Sequence, residues 1–295
     1  MRLVVLFSCL AVACGGAVED RAASGVDPGL GTLEVPAKAC SFEGALSATE
    51  VVDLGAARVR DFTATSTELA WIEGSALHRF GDHGLETAPE PISRLAAHGD
   101  ELLWARPPVL ALAFDASRTA SLEGDTLVVS ARGDETKSTA RGAFLPVLAI
   151  DAHGAWTAEL VDGRSVLREH PHDGSASVAL EPVMGTATRV LADPRGVTAL
   201  TSTGAFSLLV DWPSRDALHP RTLFQTPRIA DVITTPDDTW FTAGHALVRA
   251  RRSDGRIEIA LHGTCELGAI AVQGARVAFV AQAKDGARVF LSSPR

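Results

Sequence analysis

Few groups of polar side chains in this 295-residue sequence have a spacing that suits catalysis or metal binding. The densest is His170-Pro171-His172-Asp173, in which two histidines one residue apart could bind a metal ion from one face of a strand. Pro171 is unfavourable inside a strand, and Asp173-Gly174 is typical of a tight turn. The sequence therefore favours an exposed hairpin tip at this position.

Two further polar groups, one acidic and one basic, are weaker candidates. Asp237 and Asp238 offer carboxylates to calcium, but no Asp-x-Asp-x-Asp-Gly loop surrounds them, so a solvated turn is favoured. Arg249, Arg251 and Arg252 form a basic group that is typical of a charged strand face. The sequence contains no nucleophile elbow, P-loop, dinucleotide fingerprint or His-Glu-x-x-His pair. We therefore assign no catalytic residue, metal ligand or cofactor.

Composition and charge exclude several classes of protein. Hydrophobic residues make up 46% of the chain and charged residues 21%, which is typical of a globular protein and not of a disordered one. The net charge of -9 and the isoelectric point near 5.5 argue against a nucleic-acid partner.

The N-terminus has the features of an export signal. Arg2 precedes a short apolar run that ends at Ala13, and this run is shorter than the roughly 20 residues that a membrane span needs. A Cys directly after Leu10-Ala11-Val12-Ala13 resembles the lipobox of bacterial lipoproteins. That resemblance implies a signal peptide over residues 1–13 and a lipid anchor on Cys14. With Gly15 next, it also implies an exported protein held in the cell envelope, at the outer membrane.

The following stretch predicts a tether between anchor and domain. Residues 14–37 begin with the anchor Cys, are rich in Gly, Ala, Pro and acidic residues, and show no hydrophobic period. We expect a folded domain to occupy residues 38–295.

The four cysteines predict one disulfide bond. If Cys9 is removed with the signal peptide and Cys14 is acylated as expected, Cys40 and Cys265 remain as a pair in an oxidising compartment. We expect them to be bonded to each other. The alternative is two buried free thiols.

A unit of about 42 residues recurs through the predicted domain. Each copy has a short apolar run, a polar turn, and an alternating run that often carries an aromatic residue. The copies are anchored near positions 71, 104, 156, 199, 241 and 279. No convincing amphipathic helix accompanies them. This period, with several short strands in each unit, predicts an all-β fold of the β-propeller type.

The last unit predicts how the propeller closes. It contains three strand-like runs where a complete blade has four, and residues 50–54 would supply the missing outer strand. A Cys40–Cys265 bond would then lie near the seam. Six blades are favoured over seven. Seven stay possible, since residues 109–143 contain extra strand-like runs that fit either an insertion in an irregular second blade or an additional blade.

The sequence contains five tryptophans, and an exposed tryptophan is a candidate sugar-binding residue. Trp71, Trp104, Trp156 and Trp240 lie within the repeat, which predicts that they are core residues. Trp212, next to Pro213, lies outside the repeat and is the best candidate for an exposed aromatic side chain.

The whole layout resembles bacterial lipoproteins with a TolB-like β-propeller, whose units carry an Ile/Leu-Ala…Gly…Val-Tyr-Trp pattern. Here Tyr is always absent and Trp is replaced in half of the copies. The resemblance covers residues 45–295, implies the architecture, and transfers no catalytic residue. We therefore expect a membrane-anchored lipoprotein whose propeller is a non-enzymatic module that binds an envelope protein or polymer. The alternative is a metal-dependent hydrolase or lyase with its site in the central channel.

Overall fold

The computed structural model describes residues 40–55, 58–88, 91–132, 137–214, 217 and 219–294. Within these ranges the chain consists of β-strands and the turns between them. No helix in this part of the chain is long and hydrophobic enough to span a bilayer. Six sheets of four or five strands, numbered here as blades 1 to 6, and one two-stranded sheet make up the domain.

Two N-terminal strands, blade 1, a hairpin and blade 2 follow one another in the first half of the domain. The N-terminal strands are β1 (Phe42–Gly44) and β2 (Leu46–Gly55). Blade 1 consists of β3 (Val59–Ala64), β4 (Leu69–Glu73), β5 (Ala76–Gly81) and β6 (Gly84–Ala88). The hairpin consists of β7 (Arg94–His98) and β8 (Glu101–Ala105). Blade 2 consists of β9 (Val109–Phe114), β10 (Arg118–Glu123), β11 (Thr126–Ala131) and β12 (Lys137–Arg141).

The second half contains blades 3 to 6. Blade 3 consists of β13 (Phe144–Ile150), β14 (Gly154–Val161), β15 (Arg164–Pro171), β16 (Val178–Ala179) and β17 (Val183–Met184). Blade 4 consists of β18 (Thr186–Asp193), β19 (Gly196–Ser202), β20 (Ser207–Trp212) and β21 (Arg221–Thr226). Blade 5 contains β22 (Asp231–Thr234), β23 (Asp238–Ala243), β24 (Ala246–Arg251) and β25 (Ile257–Gly263). Blade 6 contains β26 (Glu266–Gln273), β27 (Arg276–Ala283) and β28 (Gly286–Pro294).

The first strand of every sheet lies on the inside of a ring. β3, β7, β9, β13, β18, β22 and β26 each contact the next in this order, and β26 contacts β3 again. The prediction of a six-bladed β-propeller is therefore confirmed. The extra strands that the sequence left ambiguous form the complete blade 2, whereas the repeat copy that contains Trp104 forms only the β7–β8 hairpin.

Apolar clusters between neighbouring sheets form the core. Between blades 3 and 4, Trp156, Val190 and Trp212 belong to one such cluster, so the prediction that Trp212 is exposed is wrong. Its side chain is 0% exposed. β20 continues up to Trp212, and strand alternation places Trp212 on the same inward face as Val210. An indole is large enough that burying it contributes strongly to the free energy of folding.

The N-terminal strand closes the ring as predicted. β2 pairs antiparallel with β28, from Leu46 opposite Pro294 to Gly55 opposite Ala287, and this ladder includes residues 50–54. The pairing gives blade 6 its fourth strand and covers the edge of β28, which would otherwise offer unpaired backbone groups to other chains.

A disulfide and a short strand secure the start of the closing segment. Cys40 is bonded to Cys265 with a Cα–Cα distance of 5.4 Å, which confirms the predicted pair. β1 then adds to the outer edge of blade 5, with Phe42 opposite Gly263. A Cβ atom at Gly263 would lie 2.5 Å from the Phe42 ring, so this position needs glycine. The described chain therefore starts by joining blade 5 to blade 6.

Three predictions fall on residues outside the described ranges. These are the signal peptide over residues 1–13, the lipid anchor on Cys14, and the tether over residues 14–37.

Replacing both bonded cysteines, Cys40→Ala with Cys265→Ala, should lower the free energy of unfolding by about 2–5 kcal/mol. The cross-link spans 225 residues of sequence, and a long cross-link strongly restricts the unfolded chain. Denaturant unfolding followed by circular dichroism measures the effect. The wild-type protein under reducing conditions should lose a similar amount, and unchanged midpoints in both samples would contradict the prediction.

Candidate functional site

The β7–β8 hairpin is the one place where the described ring lacks outer strands. Blades 1 and 2, on either side of it, each continue outward with a third and a fourth strand. β8 pairs with β7 on one edge, and no described residue pairs with its other edge. Two strand spacings of nearly 5 Å are missing, so the outer edge of β8 lies at the bottom of a groove about 10 Å deep. We call this space the blade gap.

Backbone polar groups of two residues point into the blade gap. The Ser93 N–H donates to the Ala105 carbonyl at 2.8 Å, so the carbonyl of Ala105 points toward β7. The N–H of Leu95, opposite Trp104, points away from β8 and donates to Asp61 Oδ2 at 3.1 Å. Since these directions alternate along a strand, the N–H and C=O of Leu102 and Trp104 point to the open edge.

Trp104 occupies a position that is buried in complete blades. It lies opposite Leu95 in the hairpin, as Trp71 lies opposite Phe62 in blade 1 and Phe279 lies opposite Ile270 in blade 6. Trp71 and Phe279 are 1% and 0% exposed, but Trp104 is 46% exposed. The repeat correctly predicted the core roles of Trp71 and Trp156, and was wrong for Trp104. A third strand covers the second strand in a complete blade, and the hairpin has none.

The two walls of the blade gap differ in chemistry. On the side of blade 1, Leu95 and Leu102 pack into an apolar cluster with Ile72, Leu77 and Ile92. Strand alternation places Trp104 on this same face of the hairpin, two residues after Leu102. The blade 1 side of β8 is therefore hydrophobic.

The wall formed by blade 2 is mostly polar, and its outermost strand is basic. Ala120, Leu122 and Leu127 face blade 3, so the alternate residues face the hairpin, as the contact of Phe114 with His98 at 6.0 Å between ring centroids also indicates. Alternation and the strand register assign the following side chains to this face: Leu112, Thr119, Ser121, Glu123, Thr126, Val128, Ser130, Lys137, Thr139 and Arg141. Lys137, Thr139 and Arg141 are exposed. The outer part of this wall is thus basic in an acidic protein.

One ion pair links the hairpin to blade 2. The guanidinium of Arg132 donates hydrogen bonds to both carboxylate oxygens of Glu101, one of them at 3.2 Å, and these lower the pKa of Glu101. Arg132 also lies over the Phe114 ring, 5.4 Å from its centroid. These contacts position β8 relative to the polar wall.

The loop after β8 extends the exposed surface. Arg106, Pro107, Pro108 and Leu110 are exposed, like Trp104. Five exposed residues therefore fall within seven positions of the chain, and they combine apolar, aromatic and basic side chains.

A second candidate site is a cleft of about 380 Å³ at one mouth of the central channel. The ends of four inner strands and three of the turns that follow them line it, including Thr65, Ser66, His98 and Asp100. Ser66 and Asp100 hydrogen-bond to each other, and Thr65 accepts the N–H of Glu68 at 3.1 Å. These side chains therefore stabilise the turns around the cleft.

Charged residues on the inner strands hold neighbouring strands together. Asp61 on β3 accepts the Leu95 N–H of β7, and Asp231 on β22 accepts the Ile270 N–H of β26 at 3.2 Å. Arg189 on β18 lies 3.5 Å from Asp231. Both acids thus link consecutive inner strands of the ring.

The histidine cluster differs from the exposed tip that the sequence favoured. His170 and Pro171 belong to β15, and His170 Nε2 lies 3.0 Å from Thr157 Oγ1. His172 Nε2 lies 3.0 Å from the carbonyl oxygen of Asp151. Burial lowers the pKa of both imidazoles, and Arg168 lowers that of His170 further. Only the turn at Asp173 is exposed as expected.

The acidic pair and the basic group that the sequence analysis singled out also form ion pairs within the fold. Asp238 is buried and lies 2.8 Å from Arg249, which is also 3.3 Å from Glu258. Arg252 forms an ion pair with Asp193 of blade 4. Among the described residues, no group of three or more His, Cys, Asp or Glu side chains could hold a metal ion.

Comparisons with known proteins show the fold alone. No protein-family model and no curated protein matches the chain. It is similar to the Cps50 (Swd1) β-propeller domain of Myceliophteria thermophila, with a TM-score of 0.58, 11% identity, and coverage of 85% of this chain and 100% of that one. BamB from Moraxella catarrhalis matches with a TM-score of 0.52 and 12% identity, over 85% of this chain and 97% of that one. A luciferin-regenerating enzyme matches with a TM-score of 0.51 and 10% identity, over 84% of this chain and 95% of that one.

The half-buried histidines predict that acid destabilises blade 3. The pKa values of His170 and His172 are lowered in the folded state, so the unfolded chain binds more protons once the pH falls through about 6.5. We expect the melting temperature to fall between pH 7.5 and pH 5.5, and to fall less in the His170→Gln, His172→Gln double variant. Thermal unfolding by circular dichroism at both pH values measures this. An equal fall in both proteins would contradict the prediction.

Proposed function

We propose that the chain is a membrane-anchored lipoprotein of the bacterial cell envelope, and that its β-propeller is a non-enzymatic binding module. Its partner is another envelope protein or polymer, which binds at the blade gap. The observation that carries this proposal is the exposure of Trp104 at a position that complete blades bury.

The chemistry of the blade gap supports a binding role. Tryptophan and arginine are enriched among the residues that contribute most to binding at interfaces. Burying the exposed part of the Trp104 side chain would contribute about 2–3 kcal/mol, taking a typical tryptophan area and about 25 cal/mol per Å². Pro107 and Pro108 add apolar surface beside it without a flexible side chain.

Two features support the location in the envelope. The Cys40–Cys265 bond is typical of oxidising compartments outside the cytoplasm. The N-terminal sequence adds a short apolar run followed by Cys14, in the order that bacterial lipoproteins use.

A photo-reactive amino acid in place of Leu110 tests the binding site in intact cells. We expect a cross-linked adduct with an envelope component, and at least a fivefold lower yield when Trp104→Ala removes most of the buried area. Leu160→Ala is the matched control, because Leu160 is 45% exposed on blade 3, and it should leave the yield unchanged. An unchanged yield with Trp104→Ala would contradict the proposed site.

Fractionation of the same cells tests the anchor. The wild-type protein should sediment with the membranes, and Cys14→Ser should enter the soluble fraction because it lacks the thiol that accepts the lipid. Cys9→Ser, inside the expected signal peptide, should remain in the membranes. Membrane retention of Cys14→Ser would contradict lipidation at this residue.

A further inference from the structure

We propose that β8 binds one extended segment of a partner protein, which adds to the hairpin as its third strand. This inference rests on the proposed function and specifies how the blade gap recognises its partner. The segment has apolar side chains facing blade 1, alternating with acidic side chains that face blade 2.

The open edge of β8 supplies the backbone contacts. Leu102 and Trp104 each direct an N–H and a C=O into the blade gap, which is the arrangement that accepts an added strand. β8 runs from Glu101 to Ala105, so the matching part of the partner is about five residues long, or roughly 17 Å. In blade 1 the position of the third strand is filled by β5, which pairs with every residue of β4 from Leu69 to Glu73.

The blade 1 side of the blade gap selects apolar side chains. Leu102 and Trp104 lie on this face of the hairpin, and Trp104 has almost half of its surface exposed. In blade 6 the corresponding Phe279 is covered by Phe290 of the third strand, with 5.7 Å between ring centroids. An apolar partner residue opposite Trp104 would complete the same packing.

The blade 2 side selects acidic side chains. Lys137 and Arg141 are exposed on β12, on the face that the hairpin leaves uncovered. Lys137 is one of three lysines in a chain whose net charge is -9, so the outermost strand of this wall is basic, while Glu123 lies on the same face two strands further in. Because side chains alternate along a strand, one segment can present apolar residues to Trp104 and carboxylates to this wall.

The depth of the blade gap argues for a single chain from a partner and against a second copy of this protein. Edge-to-edge pairing would need two β8 strands to meet, and each one lies about 10 Å below the outer edges of its neighbouring blades. The blades of the two copies would collide before the strands came within hydrogen-bonding distance. An extended segment is narrow enough to enter.

The test uses the purified full-length protein and three synthetic nine-residue peptides with blocked ends. The first alternates Val and Glu, the second alternates Val and Lys, and the third has the composition of the first with its Val and Glu residues grouped in two blocks. Isothermal titration calorimetry measures the dissociation constants. We expect the alternating Val/Glu peptide to bind at least tenfold more tightly than the other two.

Two substitutions at one position separate backbone pairing from side-chain contact. Trp104→Ala and Trp104→Pro both remove the indole, but only proline also removes the N–H that points into the blade gap. We expect Trp104→Pro to bind the Val/Glu peptide about tenfold more weakly than Trp104→Ala, as loss of one hydrogen bond predicts. Equal dissociation constants would overturn strand addition, while the binding-module proposal would stand on the cross-linking result.

Amide hydrogen exchange tests the same proposal without a substitution, in case Trp104→Pro fails to fold. The N–H groups of Leu102 and Trp104 should exchange at least tenfold more slowly with the Val/Glu peptide bound. Unchanged exchange, or no peptide binding to the wild-type protein, would overturn the proposal. A dimer in sedimentation that Trp104→Pro abolishes would also overturn the proposal, because the occupant would then be a second copy. Tighter peptide binding after deletion of residues 15–37 would overturn it too, because the occupant would then be the chain's own tether.

Discussion

Contact between the inner strands is the constraint on which the rest of the structure depends. The ring stays closed only if every sheet contributes an inner strand that touches its two neighbours, and β7 meets this requirement between β3 and β9. The outer strands of a sheet are not needed for closure. Since β2 and the Cys40–Cys265 bond make the closing contacts at blades 5 and 6, the hairpin can lack two strands without opening the ring.

A sheet that lacks its outer strands leaves two surfaces uncovered. One is the edge of β8, where Leu102 and Trp104 direct backbone groups outward. The other is the face of blade 2 that carries Lys137 and Arg141. In the complete blades such edges and faces are buried by the chain's own third and fourth strands, so the blade gap is a place where another chain can supply contacts that the fold already uses elsewhere.

Much of the fold could be predicted because repetition and pairing leave a pattern in the sequence. The period located the second strands, the short last unit identified residues 50–54 as the closing strand, and two remaining cysteines identified the disulfide. Exposure was harder to predict, because it depends on whether later strands exist. Trp104 has the sequence pattern of a core residue, yet Pro107-Pro108 and the start of β9 at Val109 leave no room for two outer strands. The predicted exposure of Trp212 was wrong for the opposite reason, since β20 continues to this residue and buries it.

The central claim is that the edge of β8 is open in the protein alone. Residue-resolved amide hydrogen exchange of the unliganded protein tests it most directly. We expect the N–H groups of Leu102 and Trp104 to exchange at least a hundredfold faster than the N–H groups of Trp71 and Phe279, which lie between two paired strands. Equally slow exchange at all four residues would contradict the claim, because it would mean that the edge of β8 is already covered.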